Sequence, residues 1–354
     1  MIGSRLKLAR EASGLSLRDL EAAINSLVSA QAIGKYERNE MMPGSTVLLA
    51  LAKGLQITPE YLLNTREIEL TGVDFRKATH TGVKEERSVE ATVLDQVERY
   101  LELEELLPGV DIQWLAPMND AFKINNVDEA EYAAEMLRQD WDLGIDPIPS
   151  MTELLEEKGV KVIALNLPIE VSGSKAFVER PNFQNVPVIV VNEKHNGERQ
   201  RFTLAHELAH LVLEFVGLSD KDQEKAADRF AGAFLMAKEI VQSILGANRT
   251  SISLGELVEL KKIFKVSIAS LVVRCSQIGV LPKTAYHKIF GQIKSLGWNG
   301  PESKEPIPFE PEVPQRIIRL CFRAVSEGAI TLSRAAELMN MSVRDLDQMM
   351  ASGT

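Results

Sequence analysis

The chain has 354 residues, 45% of them hydrophobic, with 40 Lys and Arg against 50 Asp and Glu, for a formal net charge of −10. That length fits two or three globular domains, and the acidic balance excludes nucleic-acid binding by overall charge, so any basic footprint must be local. With two cysteines (Cys275, Cys321) in apolar surroundings, no apolar leader and no membrane-length stretch, the composition also excludes a disulfide framework or a membrane partner and points to the cytoplasm.

Residues 3–63 read as five short helices with marked breaks. Leu6 and Ala9 belong to the first, which closes at the 12–15 turn. Ser16 caps the second, whose apolar positions are Leu17, Leu20, Ala23 and Ile24. Ser29 can cap a third carrying Ile33 and Tyr36 inward, Pro43-Gly44-Ser45 punctuates before the fourth, and Thr58-Pro59-Glu60 opens the fifth with proline at the first helical position. This layout, with Leu20-x-x-Ala23, the Ser29…Ile33…Glu37 run and the Leu51-Ala52…Leu55 close, resembles the Cro/repressor (Xre-type) helix-turn-helix domain. The resemblance implies an all-α DNA-binding domain over 1–65 whose recognition helix spans 29–37. Ser29, Ala30 and Gln31 then lie nearest the base edges of a double-stranded operator, while Lys35 and Arg38 contact phosphates. Residues 1–65 hold seven basic and six acidic side chains, a net of +1. A homodimer presenting two such faces is therefore expected to be the DNA-binding form.

Residues 66–82 read as an irregular connector, and a long amphipathic helix follows from Val83 to about Leu107, with Val89, Val93, Val97, Tyr100 and Leu101 on one stripe. It suits a spacer, a dimer contact or a support packed on the next domain. The span 127–158 gives two more helices split at Pro147–Pro149. The period then changes: Val160–Leu165, Lys175–Glu179 and Val186–Asn192 are β-rich, separated by Gly, Pro and Asn.

The chemistry concentrates at residues 202–230, FTLAHELAHLVLEFVGLSDKDQEKAADRF. His206 and His210 stand four apart on a helix, so both imidazoles can reach one metal ion. Two histidines and a glutamate on an almost wholly apolar helix are costly unless something binds them. Catalytic zinc takes three protein ligands and a water, and Glu224, in a second helical segment, supplies the third; Asp220, Asp222 and Glu239 are fallbacks in poorer positions. Glu207 is placed to take a proton from the zinc-bound water, and Asp228, one turn after Glu224, suits the free ring nitrogen of His206 or His210. An oxyanion-stabilising donor stays open among His195, Arg201, Arg229 and Tyr286.

The order of sheet, RFTLAHELAH and E-x-x-A-D-x-F-A-x-x-F-L-M resembles the ImmA/IrrE family of metallopeptidases. Ala209 stands where glycine is frequent and Ala237 where proline is usual. The resemblance implies an α+β zincin-like peptidase domain over 125–245, zinc on His206, His210 and Glu224, and Glu207 as catalytic base. It further implies a protein substrate or partner, a repressor or a toxin, in stress-response, mobile-element or toxin–antitoxin regulation. In such peptidases an edge strand pairs with the extended substrate, and Lys175–Glu179 is expected to be that edge.

After the connector and long helix over 66–124, the peptidase domain ends on the helix Ile240–Leu245, and 246–354 reads as a helical C-terminal region: Leu254–Phe264 and Ile268–Ile278, then a proline-rich extended connector at 296–314, then Pro314–Glu327 and Thr331–Met339 with Ser342 capping a last helix. The run TLSRAAELMNMSVRDLDQMM has the look of a second helix-turn-helix and suits a helical clamp better than a DNA reader. Two functions fit the whole: a DNA-binding regulator with a working zinc endopeptidase, and a non-catalytic one-component repressor or antitoxin whose peptidase-like domain senses a ligand or binds a partner.

Overall fold

The computed structural model describes residues 2–63, 69–72, 83–181, 183–300 and 303–352. Its elements in chain order are α1 (Ile2–Ala12), α2 (Leu17–Ala23), α3 (Ala30–Glu37), α4 (Ser45–Gly54), α5 (Pro59–Leu63), β1 (Glu69–Thr71), α6 (Val83–Leu106), β2 (Lys123–Ile124), α7 (Glu129–Asp140) and α8 (Met151–Glu157). Then come β3 (Lys161–Leu165), β4 (Gly173–Glu179), β5 (Val186–Asn192), α9 (Gly197–Val212), β6 (Glu214–Phe215), α10 (Asp220–Leu235), α11 (Lys238–Leu245), α12 (Leu254–Phe264) and α13 (Ile268–Gln277). The last four helices are α14 (Lys283–Ser295), α15 (Arg316–Ser326), α16 (Leu332–Leu338) and α17 (Val343–Ser352). A helix-turn-helix domain, an α+β middle and a helical C-terminal region are all present.

Two compact units emerge: Met1–Gln113 with Ala176–Val186 and Gln315–Thr354, and Trp114–Lys175 with Pro187–Pro314. In the first, α1–α5 close around Leu6, Leu20, Ile33, Leu51 and Leu62, all with no accessible surface. The caps are those the sequence calls for. Ser16 and Asp19 form a reciprocal capping box on α2, Ser29 accepts from Ala32 N–H on α3, and Thr58 accepts from Tyr61 N–H on α5.

Helix α6 packs on α1 and α15; Val93, Val97 and Tyr100 of its stripe are buried, and Tyr100 joins the core formed with α15–α17. Arg5 of α1 forms a buried ion pair with Glu98 of α6. Helices α15–α17 enclose Leu320, Cys321, Ala324, Ala335 and Leu346, and α16 is tied to the rest of this unit by Arg334 with Glu102 and by Glu337 with Thr58. Of the connector read over 66–82, only 69–72 are described; Glu69–Thr71 pair antiparallel with Phe177–Glu179 of β4. The strand expected to offer substrate a free edge is thus already paired over its last three residues.

In the second unit β3 and β5 run parallel, Lys161↔Val188 through Leu165↔Asn192, and β5 is buried along its whole length, as a near-continuous apolar run requires. The start of β4 lies against β5 at Gly173, where a Cβ would meet the Val190 carbonyl at 2.5 Å and Thr203 of α9 at 2.7 Å. That close approach brings the first residues of β4 onto α9. Helix α9 packs on α10, and α10 on α7, through Leu204, Leu208, Phe230, Phe234 and Leu137. α14 carries buried Ala285, Ile289 and Ile293; their four-residue spacing is legible in the sequence, where nothing was expected of this span.

Candidate metal centre and DNA-binding face

Two helices bring the donor atoms together. His206 and His210 project from α9 and Glu224 from the first half of α10, and one ligand atom of each lies within 4.8 Å of the others. The two imidazole Nε2 atoms are 3.3 Å apart. Glu224 Oε2 lies 3.3 Å from His206 Nε2, and its Oε1 3.6 Å from His210 Nε2. Ligand atoms about 2.0–2.2 Å from a tetrahedral zinc lie roughly 3.4 Å from one another, so the spacing and the donor set both fit zinc. Among the described residues Asp220, Asp222 and Glu239 take no part in such a group; Asp222 pairs with Lys225 at 2.7 Å instead.

Electrostatics agree with a cation at this point. His206 Nδ1 and Asp228 Oδ1 are 2.9 Å apart, which orients the ring and turns Nε2 inward. Burial disfavours a charge on His206, yet the hydrogen bonds of Asp228 and Glu224 and the nearby Glu207 carboxylate outweigh it and push its pKa up to about 10. The cluster therefore holds a proton where a metal ion would replace it. Burial also raises the Glu207 carboxyl, Glu224 adds to the rise, and His206 and Lys175 oppose it. A carboxylate made more basic than usual is suited to accepting a proton from water.

Two of the oxyanion candidates, Arg201 and Arg229, are ion-paired elsewhere. Arg201 is buried and paired with Glu312 and the Ile148 carbonyl. Arg229 donates to Glu131 at 2.6 Å, which also pairs with Arg274. His195 Nε2 sits 2.9 Å from the Ile169 carbonyl, and Tyr286 packs on Phe290. A cation that reaches the ligand-bearing end of α9 had no part in the chemistry expected from the sequence: Lys175, whose Nζ donates to the His210 carbonyl at 2.9 Å.

On α3, Ser29, Gln31, Lys35 and Arg38 are exposed and Ala30 is half-buried. Glu21 accepts from Ala30 N–H at 3.1 Å and so braces the start of the helix. Arg10 grips Glu37 through two hydrogen bonds, at 2.6 and 2.9 Å. Arg38 donates twice to Glu40, at 2.7 and 3.0 Å, with both side chains exposed.

Residues 6–62 match the helix-turn-helix family model, and residues 155–276 match Peptidase_M78, the IrrE N-terminal-like domain. The chain is a fusion of these two domain types. No curated protein matches it. The IrrE-like match begins just before β3 and ends within α13, so it contains the whole His206–His210–Glu224 cluster. The helix-turn-helix match contains all of α2 and α3. The chain is thus a DNA-binding regulator carrying a peptidase-like domain, and none of its described helices is long and apolar enough to cross a membrane.

The Arg38–Glu40 pair bears on the DNA-binding half. A carboxylate that occupies the guanidinium competes with a phosphate for it. Glu40→Gln is expected to tighten binding to all duplexes a few-fold and to steepen the salt dependence by about one counterion. Fluorescence anisotropy at several salt concentrations checks this, and unchanged affinity would place Arg38 away from the DNA.

Proposed function

We propose that the chain is a transcriptional regulator whose IrrE-like domain is a zinc-dependent endopeptidase that cleaves a repressor or a toxin partner. The observation that carries this reading is the arrangement of two imidazole nitrogens and a carboxylate at 3.3–3.6 Å beside a half-buried Glu207 whose carboxyl is raised above its usual range. His206, His210 and Glu224 would hold the zinc, with Asp228 steadying His206. Zinc, when bound, supplies a Lewis acid and brings the pKa of water down to about 7. Glu207 would take a proton from the attacking water and deliver it to the leaving nitrogen. The carboxylates are the more open side of the cluster, Glu224 with 48% and Asp228 with 60% of the side chain exposed, so a peptide has access from that side.

On the DNA side, Gln31 pairs with a base, Ser29 and Ala30 contact base edges, and Lys35 and Arg38 hold phosphates, with two copies of the chain reading two half-sites in the cytoplasm. Changing Gln31 then alters operator preference, whereas Lys35→Ala weakens all binding.

The peptidase reading is tested by mapping new protein N-termini after zinc-loaded wild-type chain or zinc-loaded Glu207→Gln is added to an extract of the source cells. Termini that appear only with wild type identify the substrate, and Glu207→Gln should keep its zinc while losing them. Cleavage retained by Glu207→Gln would remove Glu207 from its role. Zinc bound by both chains with no new termini from either would favour the non-catalytic sensor.

A further inference from the structure

Lys175 makes two contacts with the helix that carries the candidate metal ligands. Its backbone N–H donates to the Glu207 carboxylate, and its Nζ donates to the His210 carbonyl at 2.9 Å. The second contact has a partial explanation in the helix itself. α9 ends at Val212, so the His210 carbonyl is among the last four, which have no intrahelical donor. A neutral amide or a water would satisfy that carbonyl equally well. A full positive charge there acts over a longer range: it lowers the Glu207 carboxyl and repels a cation held by the adjacent imidazole. For a site that only stores or senses a metal ion such a charge is a cost, whereas for a site that generates an anion it is a gain. The other cationic candidates near the site, Arg201 and Arg229, are tied to Glu312 and Glu131.

We propose that Lys175 stabilises the oxyanion that forms when water adds to the scissile peptide carbonyl; this rests on the peptidase reading above. In that step a C–O bond forms, the carbonyl π pair moves onto its oxygen, and Glu207 takes the water proton. The pair returns as the C–N bond breaks, and the proton goes to the leaving nitrogen. Lys175 keeps its own proton throughout and contributes charge alone. On this proposal strand β4 supplies two functions from one residue, a main-chain N–H for the base and a positive charge for the anion. Gly173 allows this, because the close approach of β4 to Val190 and Thr203 sets the strand against α9.

The test uses the full-length chain loaded with Co²⁺, with methylphosphonate as a tetrahedral oxyanion probe read by visible absorption. Lys175→Gln keeps a donor for the carbonyl without the charge, and Lys175→Arg keeps the charge. Lys175→Gln is expected to bind cobalt as tightly as wild type and methylphosphonate about 10- to 100-fold more weakly, with much of the loss recovered in Lys175→Arg. Equal methylphosphonate affinity in Lys175→Gln would overturn the assignment. Loss of cobalt binding in that variant would overturn it as well, because Lys175 would then be a support for the ligand helix. If wild type itself binds no cobalt, the metal reading falls before the anion is added, and this inference with it.

Discussion

Replacing Glu224 with alanine is expected to lower zinc affinity by at least about 100-fold while leaving the fold intact. The Glu224 side chain is 48% exposed, so its loss leaves no buried cavity, and α10 keeps its contacts through Phe230 and Phe234 on the opposite side. What disappears is, among the described residues, the one carboxylate that lies 3.3–3.6 Å from both imidazoles. Two nitrogens four residues apart on one helix then remain, and these leave a zinc site incomplete. Asp228→Ala is a graded companion. It keeps all three donors but releases His206 Nδ1, and a loss of about 10- to 100-fold is expected. Competition against a chromophoric chelator, with metal content measured by mass spectrometry, reads both. Unchanged affinity in Glu224→Ala would move the third ligand to another carboxylate, and near-equal losses in the two variants would make Asp228 a ligand.

The part of this centre that was legible in the sequence is the part governed by local periodicity. His206 and His210 are neighbours because a helix places i and i+4 together, and Asp228 stands near Glu224 for the same reason. The caps at Ser16, Ser29 and Thr58 were readable because capping is a contact over three residues. Lys175 was not readable as chemistry. Strand alternation assigns it a face but does not reveal that Gly173 lets β4 approach α9, or that its Nζ reaches the carbonyl of the residue 35 positions later in the chain. Arg201 and Arg229 show the converse. Both flank site residues in sequence, yet their charges are spent on Glu312 and Glu131, about a hundred residues away in the chain. The strand β1 escaped notice because three residues with a single apolar side chain carry no period. The long helix α6 was visible from its stripe, but the stripe alone could not choose between a partner copy, a neighbouring domain and α1.

The connector read over 296–314 is the clearest case, and it leads to the second large effect. Proline and glutamate content correctly indicated extended chain, and 303–314 has no helix or strand. Composition could not show that this stretch is anchored on α9. Glu312 pairs with Arg201, Gly197 N–H donates to the Phe309 carbonyl at 2.9 Å, and a Cβ at Gly197 would lie 2.3 Å from the Glu310 carbonyl. At its centre Lys261, with no accessible surface, is held by Glu198 at 2.5 Å and Glu305 at 2.8 Å, and Glu305 also accepts from Ile268 N–H at the start of α13. Lys261→Met is therefore expected to cost about 3–5 kcal/mol, because it leaves two buried carboxylates facing each other without a cation. For a unit of this size that is a fall in melting temperature of roughly 10 °C. The effect has a signed pH dependence. Burial raises the Glu305 carboxyl, and Lys261 opposes the rise, so without Lys261 the carboxyl goes higher still. A carboxyl whose folded pKa lies above its unfolded value destabilises the fold as pH climbs from the unfolded pKa through the folded one. The deficit of Lys261→Met should accordingly be largest above that window and shrink on acidification. Adding Glu305→Gln should recover part of it by removing one of the two stranded charges. A deficit independent of pH, with no recovery in the double variant, would mean that Lys261 contributes through the packing of its buried stem and not through its charge.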